Sequence, residues 1–122
     1  MSYKYLDAAA LRGETITEIA QIGDDRIELA TASGKRYAMY HEQDCCESVT
    51  IHDIRGDLQS LVGKTLQVAR EDATTDWPAD VPKSEYTESC TWTTYTFDDV
   101  VIRWHGESNG YYSESVQISE IS

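Results

Sequence analysis

Basic residues are scarce: ten Lys and Arg stand against 22 Asp and Glu, a formal charge of −12. Such a field repels nucleic acid and anionic membranes and favours basic partners, so no direct nucleic-acid binding is expected. Long apolar runs are also lacking. Nothing approaches the roughly 20 residues of a membrane span, and the opening MSYKYLDAAALRG, broken by Lys4, Asp7 and Arg12, holds no signal-peptide core. The expectation is a soluble cytoplasmic protein with no membrane contact. Cysteine is limited to three, which cannot all pair within one chain, and adjacent Cys45 and Cys46 would close a strained ring; reduced thiols are expected. Cys-x-x-Cys and His-x-x-x-His are both missing. His41, Asp44, Cys45, Cys46 and Glu47, with Cys90 or His105 approaching in space, supply zinc-ligand types, but consecutive positions on a strand face opposite ways. Neither a metal nor a cofactor is expected, and Gly106 and Gly110 read as hairpin glycines, not as a phosphate loop.

What is present suits one β-rich domain over residues 1–122: hydrophobic residues make up 40% of the chain, with three Trp and eight Tyr. YLDAAAL before Gly13 predicts a short N-terminal helix, and ETITEIAQI, RIELATA and KRYAMYH, separated by GDD and SGK, predict a three-stranded meander. CCESVTIHDI reads as a strand leading into a second short helix near 57–62, and KTLQVARE as a further strand. Residues 73–86 carry both prolines and read as a long surface loop. ESCTWTTYTF, DDVVIRWHG and YYSESVQIS predict three antiparallel strands, with corners at Asp98-Asp99 and Ser108-Asn109-Gly110. The expected class is α+β, a mostly antiparallel sheet of about seven or eight strands with two short helices.

Two polar segments echo one another. KRYAMYHEQDCCESVTI and VVIRWHGESNGYYSESVQI each run from a strand through an aromatic-His pair and a polar turn to Glu-Ser-Val-x-Ile. Two-residue alternation places Glu47 on the face of Val49 and Ile51, and Glu114 on that of Val116 and Ile118. Each carboxylate then sits at the margin of a buried face and must be paired, hydrogen-bonded or protonated; turn amides, Arg55 or Arg103 are candidate partners. Trp104, alternating with Val100 and Ile102, belongs in the core, while Tyr111 and Tyr112 fall one on each face.

YHEQDCCESV, the following GDL and RWHGESNGYYSESV resemble a family of small phage and prophage proteins, a domain of unknown function, over roughly residues 28–118. The resemblance implies a viral or prophage setting and carries over no catalytic residue.

Taken with the charge, it points to an acidic, non-enzymatic inhibitor of a host nucleic-acid-handling defence factor, anti-CRISPR or anti-restriction in type. Its partner would be a basic host protein or nucleoprotein complex in the host cytoplasm. The acids placed on such a surface are Glu71, Asp72, Asp76, Asp80, Glu85 and Glu88. The alternative from another class is a pocket protein, a small-ligand sponge or a hydrolase, built on Glu47, Glu114, His41 and His105 with Tyr111 and Tyr112 beside them. A Cys–His nucleophile or a Glu47/Glu114 acid–base pair would need spatial convergence. A virion accessory is a third option, and exposed strand edges permit a homodimer.

Overall fold

Alternating β-branched, aromatic and polar residues build strands through most of the chain. The computed structural model describes residues 4–43, 46–81, 89–108 and 113–121. Its strands are Lys4–Leu6 (β1), Ile16–Ile22 (β2), Arg26–Thr31 (β3), Arg36–Tyr40 (β4), Ser48–Arg55 (β5), Ala69–Thr74 (β6), Ser89–Phe97 (β7), Val100–Ser108 (β8) and Gln117–Ile121 (β9). They form a five-stranded sheet, β1-β9-β4-β3-β2, and a four-stranded sheet, β5-β8-β7-β6, with every pairing antiparallel. Ile16, Ile27, Leu29, Met39 and Ile118 of the first sheet join Tyr95, Phe97, Ile102 and Trp104 of the second in one continuous apolar cluster.

The predicted meander is present as β2, β3 and β4, and the Asp98-Asp99 corner joins β7 to β8, Asp98 adopting a φ of 53°. Both predicted helices are instead single 3-10 turns, Ala8–Leu11 and Leu58–Leu61, so the α+β label gives way to mostly β among the described residues. The cause is local. Asp7 and Asp57 cap the two turns by accepting from Ala9 N and Gln59 N, and Gly13 and Gly63, at φ of 88° and 86°, follow close behind. Four residues cannot build an α-helical hydrogen-bond ladder.

These two turns expose a repeat with a constant offset that the polar echo does not have. Asp7, Leu11, Gly13 and Thr15 recur as Asp57, Leu61, Gly63 and Thr65. The two copies bind reciprocally: Gly13 N donates to Leu66 O and Gly63 N to Ile16 O, while Leu66 N donates to Glu14 O and Ile16 N to Lys64 O. At the centre, Thr15 and Thr65 pair through their hydroxyls at 2.7 Å. Leu11 and Leu61 are both fully buried. The order of elements repeats with them: turn, β2, β3, β4, polar segment, β5; then turn, β6, β7, β8, polar segment, β9. Each half contributes its meander to one sheet and its last strand to the other, since β5 pairs with β8 and β9 with β4.

That exchange overturns the predicted closing hairpin. β9 crosses to the other sheet instead of folding back on β8, because Val116 and Ile118 are buried in the shared core. Asn109 and Gly110 lie outside the described residues. The strand predicted over KTLQVARE begins only at Ala69, Leu66 being held beside the Thr15–Thr65 bridge. Ala73 and Thr74, expected in a loop, pair with Thr93 and Trp92.

Candidate functional site

The polar segments meet at one end of the sandwich. β4 runs on through His41 to Gln43, and residues 113–116 lead into β9, which pairs with β4 so that Gln117 lies opposite Tyr40. Between them lies a cavity of about 380 Å³ lined by His41, Glu42, Gln43, Glu47, Ser113, Ser115 and Gln117. Period-two alternation explains its far wall. Glu114, Val116 and Ile118 turn inward, so Ser113, Ser115 and Gln117 face the cavity.

His41 and Glu47 form its base, their side chains 3% and 0% exposed. His41 Nδ1 lies 2.6 Å from the Ser115 carbonyl oxygen, and because a carbonyl only accepts, Nδ1 carries a proton. Its Nε2 lies 2.9 Å from Glu47 Oε2. Glu47 also accepts from Gln43 Nε2, at Oε1 over 3.0 Å and at its own carbonyl over 2.8 Å. Both ring nitrogens of His41 are thus engaged by groups of the protein itself. The nearby serine hydroxyls bond to each other at 2.8 Å.

Glu114 is as deeply buried, at 7% exposure, but faces another set of partners. Thr91 Oγ1 donates to its Oε1 at 2.8 Å and Ser108 Oγ to its Oε2 at 2.5 Å. It does not line the cavity. Both carboxylates thus occupy the buried margins that alternation predicted, each in its own hydrogen-bond set. The predicted arginine partners are engaged elsewhere: Arg103 bonds Asp53 at 2.8 and 2.6 Å and Asp80 at 3.0 Å, and Arg55 pairs with Asp80. Hydrogen bonds from Arg103 hold the Asp53 and Asp80 carboxyls below the usual range and raise the guanidinium in return. Burial raises the Tyr95 hydroxyl, which donates to the Val116 carbonyl at 3.1 Å, and raises that of Tyr37.

Gly106 explains how Glu114 reaches its place. A Cβ there would stand 2.8 Å from Glu114 Cβ, 2.9 Å from Glu114 O and 3.1 Å from Val49 Cγ2. Gly106→Ala should therefore cost about 1–3 kcal/mol through overpacking against backbone. Urea denaturation checks this, and an unchanged midpoint would mean that the Glu114 segment is free to retreat.

The other predicted residues scatter. His105 lies on the outer face of the second sheet, its Nε2 2.7 Å from Glu107 Oε1. Cys46 is disulfide-bonded, against the expectation of reduced thiols, whereas Cys90 is a reduced thiol donating to the Thr75 carbonyl. Tyr111, Tyr112, Glu85, Glu88, Asp44 and Cys45 lie outside the described residues. Of the acidic stretch, Glu71 accepts from Ala8 N, Asp72 lies 3.9 Å from Arg70, Asp80 is in the arginine network and Asp76 is exposed. Glu42, Gln43, Ser113, Ser115 and Gln117 were missed as pocket residues, although the odd-numbered alternation around Glu114 marks the last three.

The family model described as Domain of unknown function (DUF7448) matches residues 9–118. No curated protein and no solved structure matches the chain.

Proposed function

Because the chain belongs to the DUF7448 family, whose description assigns no activity, we propose from its geometry that it binds a small polar compound between residues 41–47 and 113–117. The observation that carries this reading is the cavity itself. It draws both polar segments to one place and lines it almost wholly with hydrogen-bonding side chains over a buried His41–Glu47 base. A volume of about 380 Å³ suits a metabolite-sized ligand. Imidazole and carboxylate share a proton and are jointly neutral, while Glu42 adds negative charge at the wall; a neutral or cationic ligand rich in hydroxyl or amino groups is favoured. Gln117 Nε2 is buried without a hydrogen-bond partner among the described residues, which favours a ligand acceptor nearby. With both nitrogens of His41 engaged, binding is favoured over hydrolysis.

The test is equilibration of the protein with a small-molecule cell extract, followed by washing and native mass spectrometry. A retained compound, lost at least tenfold when Ser113→Phe fills the cavity, is the expected result. No retained compound, or equal retention by the variant, would count against the pocket.

A second reading, inhibition of a basic host defence factor of anti-CRISPR or anti-restriction type, draws support from the −12 charge. The pairing of Asp80 with Arg55 and Arg103 and the use of Glu71 to hold Ala8 N weaken it, since they take two acids out of any continuous anionic face. An electrostatic inhibitor would lose affinity for its partner steeply with salt and be indifferent to Ser113→Phe.

A further inference from the structure

After β6 the chain crosses the outer face of the four-stranded sheet, and the side chains beneath it share no residue with the polar pocket. Trp92 and His105 are direct partners across β7 and β8, next to the Thr93–Trp104 pair whose tryptophan faces the core; they therefore point outward. Their ring centroids are 4.3 Å apart. Trp77, from the crossing segment, sets its ring edgewise against both at 5.4 and 5.2 Å, and His52 approaches Trp92 edgewise at 5.0 Å.

This cluster holds two polar atoms with nothing to bond. Trp92 is 3% exposed, and neither its Nε1 nor Nδ1 of His105 has a hydrogen-bond partner among the described residues. A buried polar atom left so costs about 1–3 kcal/mol, and here two stand on adjacent residues. Their roles are complementary. Trp92 Nε1 is a donor, and His105, with Nε2 facing the Glu107 carboxylate, presents a lone pair at Nδ1 in its neutral form. A flat ring that carries an acceptor beside a donor on one edge, meeting the two side chains edge to edge, would satisfy both.

We propose that Trp92 and His105 form a binding site for a nucleobase-type planar nitrogen heterocycle, reached by displacing Trp77. Among the described residues, the crossing segment is tied to the sheet through Asp80. Asp80 pairs with Arg55 and Arg103; the Asp80 and Arg55 side chains are 48% and 58% exposed, where an ion pair contributes little, and Arg103 is 12% exposed. Trp77 Nε1 donates within the segment, to Val81 O, and not to the sheet. The −12 charge of the chain disfavours a ligand that carries phosphate. The ligand is a base or nucleoside, not a nucleotide.

The experiment titrates wild type, Trp77→Ala and Trp92→Phe with adenosine, guanosine, cytidine, uridine and AMP, following the indole N–H resonances. At least one nucleoside should bind Trp77→Ala about tenfold more tightly than wild type and Trp92→Phe about tenfold more weakly, each tenfold being ~1.4 kcal/mol. The Trp92 indole resonance should move downfield as its proton gains an acceptor. Should Trp92→Phe fail to fold, that resonance in Trp77→Ala decides. No nucleoside binding to Trp77→Ala, binding that leaves the Trp92 indole unmoved, or preference for AMP over adenosine would overturn the proposal.

Discussion

His41→Ala is expected to lower stability by about 3–5 kcal/mol, far more than an ordinary polar substitution, because it strips a buried carboxylate of its ionic partner. Glu47 has a side-chain exposure of 0%, so solvent cannot take the place of the imidazole without rearrangement. Gln43 keeps its bond to Oε1, but an amide donor offsets only part of a buried charge. The Ser115 carbonyl loses its donor in the same step, which loosens the segment leading into β9. Adding Glu47→Gln to the alanine variant should recover a substantial share, since it removes the charge and keeps an acceptor and a donor. Urea denaturation of the single and double variants is the check. A cost below about 1 kcal/mol for His41→Ala would mean that Glu47 reaches water or is held protonated, and the base of the pocket would need redrawing.

Trp104→Ala should cost about 3–5 kcal/mol, by a different route: loss of a large buried apolar surface and the cavity left behind. Trp104 is fully buried on β8, packs within the common cluster of both sheets, and donates its indole N–H to the Met39 sulfur on β4 at 3.2 Å. It thereby fastens one sheet to the other where the two halves exchange strands. Trp104→Phe, which retains most of the apolar volume, should cost markedly less. With typical domain stabilities of about 5–15 kcal/mol, the alanine variant is expected to be marginal or unfolded at ambient temperature. Circular dichroism during thermal and urea melts reads this directly, and a small shift for Trp104→Ala would place the inter-sheet anchor elsewhere.

Much of the fold was legible where the physics is local. Alternation marked the meander, the inward face of Trp104 and the buried margins occupied by Glu47 and Glu114, because side-chain direction on a strand depends only on parity. The Asp98-Asp99 turn was legible for the same reason: Asp tolerates a left-handed φ. Both helix predictions misjudged the type of element, since helix-forming residues flanked by a capping Asp and a nearby Gly have room for one turn and no more. The constant-offset repeat from Asp7 to Thr15 and from Asp57 to Thr65 is present in the sequence, and the longer polar echo, with its unequal turns, marks the same duplication less clearly.

The path of β9 was not legible. A Ser-Asn-Gly corner is a strong local hairpin signal, but the chain's course there is decided by where Val116 and Ile118 can be buried, and that site is made by residues far away in sequence. The same holds for the carboxylates. Composition and alternation determined that this is a strongly acidic, β-rich chain with two glutamates at the margin of its core. Only the tertiary structure decided that Glu47 would meet His41 over a pocket while Glu114 turned to Thr91 and Ser108. Burial follows from local periodicity, whereas a hydrogen-bond partner is chosen by which distant strand arrives alongside.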